Sequence, residues 1–142
     1  MEYFTAEGQP HVIIRLDPGD RVLESIRAVI ATEQIRDGAV ASAFGTLSRC
    51  RLHVVTTTDF PATERFLVYE EPLELVQISG VIAGGVPHLH FTVSDGVRAF
   101  GGHLEDGNVV LYLAEVVLVR WDAPRLERRP DEWGIRRLER GS

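Results

Sequence analysis

The chain has 142 residues, of which 44% are hydrophobic and 25% are charged, so it can form one folded domain and is too apolar for general disorder. Its 15 basic residues are all arginine, and 21 acidic residues give a net charge of −6, the wrong sign for a general nucleic-acid binder. The single cysteine, Cys50, excludes an internal disulfide and a multi-cysteine metal site. Five histidines and the carboxylates are left for metal or acid–base chemistry.

Neither a membrane span nor a leader is expected. No run reaches the ~18 consecutive apolar residues that a membrane helix needs. Residues 1–10 lack the basic and apolar regions of a signal peptide. With one cysteine, the expected location is the cytoplasm.

In chain order, the pattern begins with one strand and one helix. Residues 11–16 (HVIIRL) predict a short strand, and residues 17–20 (DPGD) are typical of a helix start. From Arg21 to about Gln34 the apolar residues recur at helical spacing, and Asp37-Gly38 ends the segment. We expect this to be the main helix.

The rest of the chain up to residue 121 predicts strands. Asp95-Gly96 and Asp106-Gly107-Asn108 are predicted hairpin turns between the last three of them. One helix with six to seven strands predicts a single α/β domain of the α+β type, with a mainly antiparallel sheet, over residues 1–121. The predicted strand ranges are 39–44, 51–58, 66–70, 73–82, 88–94, 97–104 and 109–120.

Residues 122–142 form an arginine-rich C-terminal extension. Residues 122–140 hold six arginines, five acidic residues, two prolines and Trp133. We expect an irregular or partly helical segment, either pinned by Trp133 to the body or to a neighbouring subunit, or solvated. The sequence leaves open whether the terminal Gly141-Ser142 is native.

The most informative stretch is residues 87–103, PHLHFTVSDGVRAFGGH. Because side chains alternate along a strand, His88 and His90 share one face and the apolar residues between them point to the other. A two-residue turn at Asp95-Gly96 would pair residues whose numbers sum to 191.

In that register His88 faces His103, and His90 faces Gly101, which leaves open space beside it. Three histidines then lie on one face of one hairpin. A three-residue loop would turn His103 to the other face and remove the cluster.

Three imidazoles on one face suit a zinc-type ion and leave one coordination position for water or a substrate. Zinc lowers the pKa of a bound water to ~7, which would suit hydrolysis. The alternatives are a structural metal, or three histidines that are only hydrogen-bonded or exposed.

Other candidate residues have weaker support. Glu115 interrupts an apolar run, and a buried carboxylate there would more commonly pair with an arginine, with orientation of a ligand histidine as the other candidate role. His11 and His53 have no partner in the sequence and are expected to be ordinary surface or core residues. Cys50 is expected to be structural.

Four segments resemble, in their order, the plants and prokaryotes conserved (PPC) domain, which occurs alone in bacteria and archaea and in plant AT-hook nuclear-localised proteins. They cover about residues 11–120, and Pro-His-Leu-His followed by Gly-Gly-His-Leu is the most specific, being typical of prokaryotic members. The segments are LDPGDRVLESIRAVIATEQI, GAVASAFGTLSRCRLHVV, EPLELVQISGVIA and PHLHFTVSDGVRAFGGHLEDGNVVLYLAEVVL.

The resemblance implies an α/β fold with a mainly antiparallel sheet, a homotrimer, and a metal, usually zinc, on His88, His90 and His103. It brings no established reaction. The plant transcription-factor role is not implied, because the chain has no Arg-Gly-Arg-Pro AT-hook and Arg128-Arg129-Pro130 lacks the glycine. Plant members also lack the three histidines and carry Gly-Arg-Phe-Glu-Ile-Leu where this chain has EPLELV at residues 71–76.

Three functions stay open. The first is a homotrimeric metal protein whose site, near a subunit boundary, handles a small molecule, including by hydrolysis. The second is an oligomerisation or regulatory module, DNA-associated or not, with a structural metal or none. The third is a cupin-like metalloenzyme, because His-x-His followed by Asp95 and a later histidine resembles that pattern, although cupins usually place a glutamate there. Whether the chain is an enzyme, and which residue would be catalytic, stays undecided.

Overall fold

The structure is a computed structural model that describes residues 1–141, so Ser142 lies outside the described residues. It contains a helix, α1 (Val22–Thr32), which is too short and too polar to cross a membrane, as is any helix in the described part. The strands are β1 (Glu2–Thr5), β2 (His11–Leu16), β3 (Asp37–Val55), β4 (Glu64–Tyr69), β5 (Leu73–Ala83), β6 (Val86–Ser94), β7 (Ala99–Leu104), β8 (Val109–Trp121), β9 (Leu126–Pro130) and β10 (Arg136–Arg140).

The 19-residue strand β3 organises the sheet. Its first part pairs with β8 on one side and β5 on the other, and its last part pairs with β7 and β4. Because β5 also pairs with β6 and β6 with β7, the strands β3, β5, β6 and β7 form a closed ring. All of these pairings are antiparallel, as the sequence predicted, and the closure brings the end of β3 against β7.

The sequence predicted two strands, 39–44 and 51–58, where the structure has the single strand β3. Gly45 does not break the strand but lies in it with φ of 152°, beside an irregular step in the pairing with β8. A Cβ at this position would lie 2.4 Å from the carbonyl oxygen of Leu113. The glycine therefore allows close approach of two backbones within the sheet rather than marking a turn.

The predicted hairpin with its turn at Asp106-Gly107-Asn108 is not formed. Within the described residues, β7 and β8 pair with different parts of β3 and not with each other. The buried side chain of Asn108 supports the connection by donating to the carbonyl oxygens of Arg51 and Glu105 and by accepting from the Arg51 N–H. A side chain thus supplies the hydrogen bonds that a ladder would otherwise provide.

The core lies between α1 and one face of the sheet. Helix α1 buries one apolar side, as its spacing predicted, although it begins at Val22 with Arg21 as an N-cap that makes no side-chain hydrogen bond. Residues 17–20, the predicted helix start, thus lie just before the helix, and within them the Asp20 carboxylate accepts from the Asp17 N–H. The opposite face of the sheet is partly apolar and exposed.

The C-terminal extension is a β-hairpin, so the expectation of an irregular or partly helical segment is wrong. Strands β9 and β10 pair in register, and their charges alternate so that Arg129 lies between Glu127 and Glu139. The Leu126 N–H donates to the carboxylate of buried Asp37, 3.1 Å away. The Trp133 ring lies 5.8 Å from that of Phe60, so the hairpin is pinned to the body.

Candidate metal centre

The three predicted ligand histidines lie on one face of the β6–β7 hairpin. Its register differs from the predicted one: His90 pairs with His103 and Ser94 with Ala99, so paired numbers sum to 193 rather than 191. Asp95 explains the longer four-residue loop, because its carboxylate accepts from the N–H groups of Val97 and Arg98, each at 2.9 Å. A shift of two leaves the faces unchanged, and the cluster survives.

The predicted role of Gly101 is wrong. It lies opposite Thr92 rather than His90. A Cβ at Gly101 would lie 2.0 Å from the carbonyl oxygen of Phe91. The residue lets the two backbones approach closely and does not make room for the histidines.

The histidine nitrogens converge. One ring nitrogen from each of His88, His90 and His103 lies within 4.8 Å of the others. The Nε2 atoms of His88 and His90 are 3.4 Å apart. Two nitrogens each ~2.0–2.1 Å from a tetrahedral zinc lie ~3.3–3.4 Å apart, so this pair has the spacing of two zinc ligands.

The surroundings lower the pKa of all three rings and so favour the neutral form, in which histidine binds a metal. Burial is the main cause that lowers the pKa of His103 to about 4, with the charges of His53, His88 and His90 adding to it. Burial also lowers the pKa of His88, helped by the guanidinium of Arg128, and the pKa of His90. All three shifts therefore have the sign that favours metal binding over protonation.

His53 lies at the cluster, so the expectation that it has no partner is wrong. The β3–β7 pairing places it opposite His103, and the two rings stack with centroids 4.5 Å apart. Its Nδ1 lies 2.6 Å from Glu105 Oε1, and His53, His103 and Glu105 form a second group that could hold a metal. No local signal identifies His53, since it and His103 are far apart in the chain and meet through the ring closure.

The remaining predicted residues lie elsewhere. Glu115 is exposed on β8, paired with Arg15 on one side and Phe44 on the other, and belongs to neither histidine group. The carboxylate of Glu105, and not that of Glu115, is hydrogen-bonded to a histidine, and the carboxylate of Glu64 lies 3.6 Å from Nε2 of the same His53. His11 is exposed on β2, outside both groups. Cys50 is buried, and burial raises the pKa of its thiol to about 12, so it is no nucleophile.

A cavity of about 570 Å³ opens over the cluster. His53, His88, His90 and His103 form its floor, and the turn and strands of the β9–β10 hairpin form one wall. That wall includes Arg128, Trp133 and Arg136, which sequence reasoning did not assign to the site. The arrangement can present a small molecule to an ion on the histidines.

The comparisons with known proteins agree with this fold. Two curated relatives from Synechococcus strains, both described as the bifunctional protein GlmU, are 32% and 33% identical over 120 and 119 residues. The matches cover 83% of this chain but 18% of those proteins, so the chain spans about a fifth of their length. Their activity is therefore not carried over.

Solved structures match over nearly the whole chain. A candidate DNA-binding protein from Bacteroides thetaiotaomicron has a TM-score of 0.85 at 17% identity, covering 97% of this chain and 96% of that one. A metal-containing protein from Archaeoglobus fulgidus has a TM-score of 0.78 at 22% identity, covering 98% and 99%. At these identities the likeness shows the fold.

The family is shown by the sequence itself. The model of the Plants and Prokaryotes Conserved domain matches residues 3–122, which include all of the strands from β2 to β8 and the three histidines. These findings give no support to the cupin-like alternative. The chain belongs to the plants and prokaryotes conserved domain family.

Proposed function

We propose that this chain is a metal-binding protein of the prokaryotic PPC type, in which His88, His90 and His103 hold a zinc ion beside a small-molecule cavity. The observation that carries the proposal is the convergence of the three ring nitrogens, with the 3.4 Å between His88 and His90 Nε2 atoms fitting adjacent zinc ligands. A three-histidine set would leave one coordination position free for water or a ligand, and all three histidines line the cavity.

The chain's own residues prepare the site. The His53–Glu105 contact holds an imidazole against His103, and burial keeps the ligand rings neutral. When bound, zinc supplies a Lewis acid to an oxygen of the ligand, which suits hydrolysis. The metal-containing Archaeoglobus fulgidus protein, which has the same fold, supports the presence of a metal.

We also propose that the working unit is a homotrimer with the site near a subunit boundary. The sheet face opposite α1 exposes large apolar side chains, including Phe4, Ile13 and Phe44, which are between 46% and 52% accessible. Phe4 and Ile13 are direct neighbours across β1 and β2. Contiguous exposed apolar surface of this kind is typical of protein interfaces.

The test of the metal site is elemental analysis of protein purified without a histidine tag. We expect about one zinc per chain in the unaltered protein and a loss of zinc in the His88→Ala/His103→Ala double variant. Equal zinc in both proteins would overturn the proposal, and a His11→Ala variant is the matched control because His11 is exposed and outside the cluster.

The second candidate function is an oligomerisation or regulatory module with a structural metal, which the exposed apolar face favours. Removal of metal by a chelator separates the two. Dissociation of the assembly would favour this alternative, whereas an intact assembly would favour the small-molecule site. The double variant Ile13→Glu/Phe44→Glu tests whether the exposed apolar face is the interface between subunits, and Val97→Glu in the β6–β7 loop is its control. A gel shift at low salt tests association with DNA.

A further inference from the structure

We infer that the cavity over the histidine cluster binds a small organic oxyanion, held by Arg128 and Arg136 and packed against Trp133. The inference rests on the proposed function, because the metal is what the bound anion would meet. It adds the chemical class of the ligand and assigns its recognition to the β9–β10 hairpin.

The first support is charge. The cavity is lined by two arginines and one acidic residue, Glu64, whose carboxylate lies 3.6 Å from Nε2 of His53. Within the described residues, neither Arg128 nor Arg136 forms an ion pair. Arg125, Arg129 and Arg137 of the same extension each pair with a carboxylate, and Arg140, which has no ion pair either, does not line the cavity. A metal cation on the histidines would add further positive charge to the cavity, which favours an anionic ligand.

The second support is a polar atom without a partner. Nε of Arg128 is buried and has no hydrogen-bond partner in the described structure. Its Nη1 donates to the Arg136 carbonyl oxygen at 3.2 Å, which holds the side chain across the hairpin and leaves the rest of the guanidinium for a ligand. Guanidinium groups match the oxygens of carboxylates and phosphates, and a ligand in the cavity would reach the outer nitrogens of Arg128 rather than its enclosed Nε.

The third support is the apolar part of the wall. Trp133 and Ile135 from the hairpin turn face the same cavity as Val86 and Val55 from the sheet, and all four are substantially exposed. The volume of about 570 Å³ lies in the ~300–1,000 Å³ range of small-molecule sites. The ligand therefore has an apolar or aromatic body as well as an anionic group.

The recognising hairpin is firmly placed but lies outside the matched domain. The family match ends at residue 122, whereas both arginines come later in the chain. The Leu126 N–H donates to Asp37 and Trp133 packs on Phe60, so the hairpin keeps its position over the histidines. The chain's ligand preference is thus set by a segment beyond the domain that carries the metal ligands.

The test is calorimetric binding of three probes of similar size: phenylacetate, phenyl phosphate and the neutral phenylacetamide. Each is titrated into the full chain with and without zinc. We expect binding of at least one anion, with the amide at least tenfold weaker, and the two anions show whether a carboxylate or a phosphate is preferred. Arg128→Gln and Arg136→Gln should each weaken the preferred anion about tenfold, since each removes a charge-assisted hydrogen bond.

Arg129→Gln is the matched control, because Arg129 lies on the same strand and pairs with Glu127 outside the cavity lining. Arg136→Gln guards against hairpin loss, since it keeps the carbonyl that accepts from Arg128, and the thermal unfolding of each variant is recorded. The inference is overturned if phenylacetamide binds as well as the acids, if Arg129→Gln weakens binding as much as Arg136→Gln, or if neither anion binds at millimolar concentration.

The two proposals fail separately. Arginine-dependent anion binding in a protein that takes up no zinc would sink the metal site and leave the anion site standing. Stoichiometric zinc, together with anion binding that is unchanged in Arg128→Gln and Arg136→Gln, would overturn the anion site and leave the metal site standing.

Discussion

Two histidine groups share His103 and differ in how their polar atoms are satisfied. In one, His53 Nδ1 and Glu105 Oε1 lie 2.6 Å apart, the distance of a strong hydrogen bond and too short for two neighbouring ligands of a tetrahedral zinc, which lie ~3.3 Å apart. In the other, the His88 and His90 Nε2 atoms lie 3.4 Å apart and face a cavity. This difference supports the proposal that the second group is the ligand set and the first group its support.

The largest expected effect comes from His103→Ala, since His103 belongs to both groups. Removing one of three ligands should weaken zinc binding by more than about 100-fold, beyond the 10–100-fold range for residues that only orient ligands. Competition with a chromophoric chelator measures the affinity. His11→Ala should leave it unchanged, and a His103→Ala protein that keeps its zinc affinity would contradict both assignments.

The next effect separates the two groups. Glu105→Gln keeps the shape of the side chain but replaces a charge-assisted hydrogen bond to His53 by a neutral one, so zinc affinity should fall about 10–100-fold. Glu64→Gln is the control, because Glu64 lies 3.6 Å from the other nitrogen of His53 and is more exposed. A loss as large as that of His103→Ala would make Glu105 a ligand and reverse the comparison.

The contrast between the two histidine groups also shows which part of the site could be predicted from the sequence. The His88–His90–His103 cluster followed from alternation along β6 and β7, which depends only on parity. The register was wrong by two residues because the hydrogen bonds of Asp95 build a four-residue loop, yet an even shift moves no side chain to the other face. Local periodicity was therefore enough for the ligand set.

The group of His53, His103 and Glu105 could not be predicted from the sequence, because it depends on pairing between distant strands and not on alternation along one hairpin. His53 meets His103 only because β3 runs unbroken past Gly45 and pairs with β7 at its end. Neither fact has a local signature, since Gly45 is a usual strand breaker. Arg128 is similar: its place over the cavity depends on Asp37, far away in sequence, which accepts from the Leu126 N–H.

A smaller effect is expected on stability as pH falls. His103 titrates with a pKa of about 4 in the folded chain and near ~6.5 when unfolded, so between these values the unfolded state binds more protons. The free energy of unfolding of metal-free protein should therefore decrease as pH falls from about 6.5 to about 4, by roughly 1–2 kcal/mol once partial exposure is discounted. Lowered pKa values of His88 and His90 act in the same direction.

Urea unfolding at pH 7, 5.5 and 4.5 measures this slope. His103→Gln should flatten it, because the glutamine does not titrate, while His11→Gln should keep it. Equal slopes in the unaltered protein and the His103→Gln variant would mean that burial of His103 does not govern the pH dependence. Zinc should raise stability most at the neutral end, where each ligand ring is uncharged and its coordinating nitrogen carries no proton.

The smallest expected effect is at Glu115, the carboxylate that the sequence offered as a candidate to orient a ligand histidine. Glu115 is exposed between Arg15 and Phe44, and the guanidinium of Arg15 forms its ion pairs with Glu2 and Asp17 instead. Glu115→Gln should therefore leave zinc affinity within about twofold and stability within about 0.5 kcal/mol. Glu105→Gln makes the same chemical change at the carboxylate that contacts His53. Any difference in zinc affinity between the two variants therefore comes from the position of the carboxylate and not from the loss of its charge. Equal losses of zinc affinity in the two variants would contradict the placement of β8 away from the histidines. A loss confined to Glu105→Gln would show that the supporting carboxylate is identified by its contact with His53 and not by its position in an apolar run.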